Sequence, residues 1–376
     1  MLNLSRTDHS VVGRWWWTTD RWLLGLVGVL ILYGAMMVAT ASPPVAERIG
    51  LDSFYFVRRH LMLLIPTLFI MLSASILPPR GVLLLAAAMF IPFLLLTWAT
   101  PFIGEEIKGA RRWIGMGGLS VQPSEFLKPA IIVLSAWFFS KKSVRVFNSA
   151  LHIPGFLVAM LCLMLVLAGL MRQPDLGMSV VTTLVWGTQF FLAGLPIILM
   201  VVMGFAAAGG LVAAYTFFPH VTSRIDRFLN PESGDTFQID RSLAAFANGG
   251  LFGVGPGQGT VKQTIPDAHA DFIFSVAGEE MGLFATLFLV LLFVFIFSRG
   301  VYRLLQDQDV FVVLAGSGLL MQFIVQALIH MGSALHLLPT KGITLPFVSY
   351  GGSSLIALGL GMGMLLALTR KRYMRE

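Results

Sequence analysis

The sequence predicts an all-α integral membrane protein of about ten transmembrane helices, with one large extracytoplasmic loop between the seventh and the eighth. Three observations carry that expectation. Of 376 residues, 56% are hydrophobic and 12% charged, about half the charged fraction of a soluble domain. The mean hydropathy is +0.82, with the apolar residues gathered into runs near the roughly 20 residues that a helix needs to cross a hydrocarbon core. Those runs lack the period-2 alternation of a membrane barrel, and lipid admits only helices or closed barrels.

The runs lie at about 22–40, 60–77, 81–99, 125–139, 153–170, 176–193, 196–218, 271–298, 309–333 and 350–369. The first follows a polar stretch, Met1 to Arg21, with three arginines and no small-residue cleavage site, so it reads as an uncleaved anchor. The fourth is the shortest. Pro174-Asp175-Leu176-Gly177 separates the fifth and sixth into a tight hairpin. The loop at 219–270 holds an amphipathic stretch, Arg224–Asn230, ended by Pro231, and a glycine-rich segment from Gly249 to Gly259. Glycine at that density lets backbone turn sharply or pass close to a neighbour. The chain reads as one membrane domain, 1–376, with tails at 1–21 and 370–376.

Net charge is +7, which in a soluble protein would raise nucleic acid as a partner. Here the basic residues sit mostly singly or in pairs at span ends, and the longest run is Arg370-Lys371-Arg372. Membrane lipid phosphate is therefore the expected anion, and nucleic acid is not an expected partner. Lys and Arg divide evenly between the two faces by count, but weighting short loops and helix ends puts both termini in the cytoplasm. Cys162, the only cysteine, reads as a small core residue.

Four clusters carry chemistry. At Pro266–Phe274 a polar loop with Asp267, His269 and Asp271 runs straight into an apolar segment. Ionisable groups at that depth are costly and are functional suspects; the structural alternative for Asp271 is a helix cap. Glu279 and Glu280 follow inside the apolar run, so at least one must face a polar interior or a partner. His269 reads as a hydrogen-bonding histidine, since no second ligand stands at zinc-like spacing.

The second cluster is Lys108 to Ile114 followed by Gln122 to Pro129. Arg111 and Arg112 beside Trp113 suit a phosphate held near the interface, or plain interfacial anchoring. Ser124 is placed to cap the fourth span, and Glu125 and Lys128, spaced i, i+3, to form an ion pair. The third, Leu338 to Ser354, has Lys341 as its one cation and the polar Ser349 and Ser353, with a helix start at Gly351 to Ser354 whose N–H groups suit an anion. In the fourth, Arg172 and Asp175 share a hairpin turn and are expected to pair. Three of these clusters and the large loop all fall on the same predicted face, and a site facing outward follows.

Together, in this order, these strings resemble the SEDS family of bacterial wall polymerases over nearly the whole chain, and Leu338-Pro339-Thr340-Lys341-Gly342 is closer to its cell-division members than to its elongation members. The resemblance implies a peptidoglycan glycosyltransferase of the inner (cytoplasmic) membrane at the division septum, using lipid II. It also implies a class B penicillin-binding protein (an FtsI-like transpeptidase) and divisome regulators as partners, and Asp271 as the essential acid. Ala270, His330 and His336 depart from the residues usual in the family.

Extending a β-linked glycan from an α-linked donor inverts the anomeric carbon, so one displacement suffices. It requires a base for the acceptor hydroxyl and positive charge for the departing diphosphate. Asp271 is the expected base, and Arg111, Arg112, Lys128 and Lys341 the expected diphosphate contacts. Glu125, Asp175, His269, Glu279, Glu280, Ser349 and Ser353 are expected to support them. A divalent cation, magnesium or manganese, is left open with no residues assigned to it. Two alternatives from other classes stay open at this point: a lipid II flippase and a non-catalytic divisome scaffold.

Overall fold

The computed structural model describes residues 10–107, 110–116, 119–141, 143–145, 152–194, 196–217, 219–229, 237–339 and 342–371. Each of the ten apolar runs coincides with a helix. Near the amino terminus, α1 (Val11–Thr18) is capped by Ser10, whose Oγ accepts from Gly13 N at 2.9 Å. Asp20 caps α2 (Arg21–Ala41) in the same way through Leu23 N. The short α3 (Pro43–Arg48) leads to α4 (Tyr55–Ser75) and α5 (Pro79–Ile103). After α6 (Pro123–Ser140) come α7 (Gly155–Arg172), α8 (Leu176–Leu192) and α9 (Ile197–Phe217). The large loop contains α10 (Pro219–Leu229) and α11 (Phe237–Gly249), and the chain ends with α12 (Ile273–Leu304), α13 (Val310–Ala334) and α14 (Gly352–Leu368).

Among the described residues, seven helices are long and apolar enough to cross a membrane, α2 counted together with α3. Two more, α8 and α14, are apolar but only 17 residues long. The tenth, α6, carries the buried Glu125 and Lys128 in its first turns. The helices α6, α13 and α14 form the centre: α14 is buried along almost its whole length, as are α6 from Pro123 to Ala136 and much of α13. α14 packs closely on α4, where a Cβ on Gly363 would stand 2.9 Å from Ala74 Cβ.

Helix is not the whole of the polar part. β1 (Glu105–Ile107), β2 (Ala110–Met116) and β3 (Leu119–Val121) form an antiparallel meander, with Glu106 opposite Arg111 and Ile114 opposite Val121. β4 (Ser143–Arg145) and β5 (His152–Pro154) make a second, two-stranded pair. Outside lipid, short strands can satisfy their backbone groups with water on one side, so the restriction to helices lapses there.

A second difference lies in the eighth run, which the sequence presents as one uninterrupted span. α12 is broken at Gly282, where φ is 74° and ψ −174°. The glycine-rich loop docks into the break: Val254 N and Gly255 N donate to Glu279 O and Glu280 O, while Leu283 N and Phe284 N donate to Gly250 O and Leu251 O. Backbone groups that a continuous helix would pair internally are thus satisfied by the loop. A Cβ at Gly282 would lie 2.6 Å from Leu251 O, in a region of φ/ψ that only glycine occupies readily. Gly282→Ala is expected to lower stability by about 3 kcal/mol, read as a fall in the thermal midpoint of the purified protein. An unchanged midpoint would mean the break is not required.

Candidate active site

A cleft of about 410 Å³ opens where the starts of α4, α6 and α14 meet the turn that leads into α12. Asp271 lines it, half-buried, between the buried Ala268 and Phe272. The turn begins at Asp267, whose φ is 51°, and Asp267 O accepts from both Ala270 N (2.9 Å) and Asp271 N (3.0 Å). The segment 345–350 buttresses this turn. Ser349 Oγ donates to Ala270 O at 2.7 Å while accepting from Leu345 N, and Tyr350 N donates to His269 O at 2.9 Å. The backbone under Asp271 is therefore fixed by two hydrogen bonds from that segment, and its carboxylate faces a cleft wide enough for a sugar. Gly342 adjoins it: a Cβ there would lie 3.6 Å from Asp271 Oδ2.

Three further polar groups line the same wall. Arg59, one turn into α4, donates to Tyr55 Oη at 3.1 Å. Glu125 is paired at 2.7 Å with Lys128, both almost fully buried, and Lys128 Nζ also donates to Gln326 Oε1. Gln122 links the cleft to what lies behind it: its backbone N donates to Ser353 Oγ and its side chain to Asp175 Oδ2. Ser124, expected as the cap of α6, instead sits inside the helix with its hydroxyl buried, and the cap position falls to Gln122.

The sequence pattern of the family described as "Cell cycle protein" (FtsW, RodA and SpoVE) matches residues 21–374 of this chain. The chain belongs to that family, the SEDS proteins. It is 43% identical over 369 residues to the probable peptidoglycan glycosyltransferase FtsW of Caulobacter vibrioides, covering 98% of this chain and 93% of that one. Its counterpart in Tolumonas auensis is 35% identical, covering 94% and 92%. Among solved structures, it resembles one titled as structural coordination of polymerization and crosslinking by a peptidoglycan synthase complex. That match has a TM-score of 0.76 and 27% identity, over 93% of this chain and 97% of that one. RodA of Thermus thermophilus matches with a TM-score of 0.70 and 27% identity, over 96% and 99%.

Not every residue singled out in the SEDS motifs reaches the cleft. Arg111 is exposed and lies 3.5 Å from Glu106 across the β1–β2 pair. Arg112 turns to the α7–α8 hairpin, donating to Gln173 O and Pro174 O, with Asp175 at 3.9 Å. The expected Arg172–Asp175 pair is not formed. Asp175 caps α8 through Met178 N and faces Arg112, whereas the Arg172 guanidinium lies over the Trp98 ring. Because Asp175 is held by its own helix start, it cannot swing back along the hairpin. Lys341 lies outside the described residues.

Glu279 and Glu280 point away from the cleft, to the knot at the helix break. Glu279 accepts from Asn248 Nδ2, Val261 N and Lys262 N, and Glu280 forms an ion pair with Lys262. Neither Arg59 nor Lys262 is singled out by sequence. Arg59 looks like one of the basic residues that anchor span ends, and Lys262 is one cation in a long polar loop.

His269 also lines the cleft but is nearly closed off, with its ring 4.5 Å from Phe56 and 5.0 Å from Tyr350. Burial pushes its imidazole down to about 4 from the ordinary 6.5, with Asp267 opposing and Arg48 adding to the fall. The ring is therefore neutral at physiological pH and supplies no charge to an anion. The unfolded chain takes up a proton below 6.5 that the folded one refuses until about 4, so stability is lost as pH falls through that window. The loss is about 1.4 kcal/mol per pH unit at most. Thermal midpoints between pH 7 and 4 should fall less steeply for His269→Phe than for the wild type; parallel profiles would contradict the burial effect.

Proposed function

We propose that this SEDS protein is a glycosyltransferase of cell-wall synthesis that polymerises lipid II into peptidoglycan glycan strands at the division septum, with Asp271 as its general base. The observation that carries this reading is the half-buried Asp271 carboxylate in a cleft of about 410 Å³, on a turn braced by Ser349 and Tyr350, with Arg59 in the same wall. A carboxylate so placed takes the proton from the acceptor's 4-hydroxyl as that oxygen bonds the anomeric carbon of the donor. The bond from that carbon to the diphosphate breaks in the same step, and the diphosphate leaves with the electron pair, so the carbon is inverted. Positive charge beside the leaving oxygens lowers the barrier.

Arg59 is the cation with the most direct claim to that role, since it lines the cleft. Lys341 is kept as a second contact because its neighbour Gly342 lies against Asp271. Lys128 acts through Glu125, which it holds in the wall, and Arg112 through Asp175 and Gln122. A divalent cation would have to share Asp271 with substrate oxygens. Among the described residues no three His, Cys, Asp or Glu side chains converge on one point.

The apolar helices embed the protein in a membrane, and the reading places it in the inner membrane with both termini cytoplasmic and the cleft outside. A class B penicillin-binding protein is the proposed partner, by analogy with the synthase complex whose fold it shares. The test is glycan formation from lipid II by the purified chain, with and without that partner. Polymer made only when this chain is present supports the reading. Polymer made equally by the partner alone would reduce this chain to a scaffold, and headgroup translocation in liposomes without polymer would make it a carrier.

A further inference from the structure

A second cleft, of about 440 Å³, lies at the opposite end of the same helices. α4 and α14 begin in the wall of the Asp271 cleft, at Phe56 and Gly352, and end in the wall of this one, at Ile76 and Ala367. The two clefts therefore open on opposite membrane faces, and nothing in the proposed reaction uses the second.

One side of it is apolar, from Val11, Ile76, Leu77 and Ala367, and the other carries Arg14, Arg370 and Lys371; among the described residues no acid lines it. The wall is already built. α1 is fixed to the end of α4 by Trp15 Nε1 donating to Ser75 Oγ at 2.8 Å. It is fixed to the end of α14 by Lys371 N donating to Thr18 O and Arg370 Nε to Thr18 Oγ1. Arg370 Nη1 closes the corner on Ile76 O. Beyond the cleft, the Arg21 guanidinium lies 5.0 and 4.6 Å from the Trp16 and Trp17 rings, an aromatic and basic pairing suited to headgroup depth. Arg14 and Lys371 are exposed, and among the described residues neither is within ion-pair distance of a carboxylate.

We propose that this cleft is a binding site for an anionic phospholipid, with the headgroup phosphate on Arg14, Arg370 and Lys371 and the acyl stem along Val11, Ile76 and Leu77. Guanidinium and ammonium groups supply charge-assisted donors to phosphate oxygens. The apolar wall beside them selects a lipid over a free anion, which would gain nothing from it.

The test uses the full-length protein in a neutral detergent, titrated with dioctanoyl phosphatidylglycerol, dioctanoyl phosphatidylcholine or inorganic phosphate, with adducts counted by native mass spectrometry. The wild type is expected to retain phosphatidylglycerol in preference to phosphatidylcholine, and phosphate is expected to compete poorly. Arg14→Gln combined with Lys371→Gln should weaken that retention roughly 25-fold, about fivefold for each cation. Lys141→Gln removes an exposed cation on the same face outside the cleft and should change it less than about twofold. Equal retention of the two lipids by the wild type would overturn the proposal without reference to any variant. So would full displacement by phosphate, which would mark a free-anion site, or a loss with Lys141→Gln matching that of the double variant, which would mark diffuse surface attraction.

Discussion

Asp271→Asn is expected to lower the rate of glycan polymerisation from lipid II by roughly 10²–10⁴, the usual worth of a positioned general base, while leaving the thermal midpoint close to that of the wild type. The substitution keeps the size and shape of the side chain and removes the charge and the basicity. The contacts that fix the turn are indifferent to it, because Asp267 O accepts from the backbone N of residue 271 and Ser349 Oγ donates to Ala270 O. A loss of rate with unchanged melting separates chemistry from folding. Polymerisation at the wild-type rate would remove Asp271 from the mechanism and leave the cleft without a base.

The second large effect is on stability. Lys262→Met is expected to cost about 3–5 kcal/mol, because it leaves the Glu280 carboxyl buried without its partner. Both partners are almost wholly inaccessible, at 3% and 1% exposure, and Lys262 Nζ also donates to Thr40 O at the end of α2. The pair thus ties three segments together: the end of α2, the loop before the cleft turn, and α12 just ahead of its break. Glu279 remains satisfied in the variant, since its donors are Asn248 and two backbone N–H groups. Combining Lys262→Met with Glu280→Met should recover most of the lost stability, since an apolar pair of similar volume needs no counter-charge. Melting of the purified single and double variants checks both statements. A single variant as stable as the wild type would show that the ion pair contributes nothing.

The ten helices were legible because each needs only a sufficient run of apolar residues, and composition is local information. The break at Gly282 was not, since the run from Phe272 to Phe297 is apolar on both sides of it. The helix opens only because a glycine-rich segment about 30 residues earlier supplies replacement hydrogen bonds. Asp271 stood out for a local reason too, as an acid at the edge of an apolar run. Arg59 did not, because a cation at a span end is also what membrane anchoring requires. Sequence proximity pairs Asp175 with Arg172, whereas the fold gives it Arg112, some 60 residues away in sequence.

By itself the sequence determined the membrane, the helices, the family and the acid on which the chemistry is proposed to turn, all of which follow from short-range composition and from motifs in fixed order. Only the tertiary structure decided which cations share a wall with that acid, which carboxylates are spent on holding the helix break, and that a second, basic cleft lies at the far end of α4 and α14. The physical reason is that charge pairing and cavity lining depend on distances through space, and a folded chain sets those distances between residues that its sequence keeps far apart.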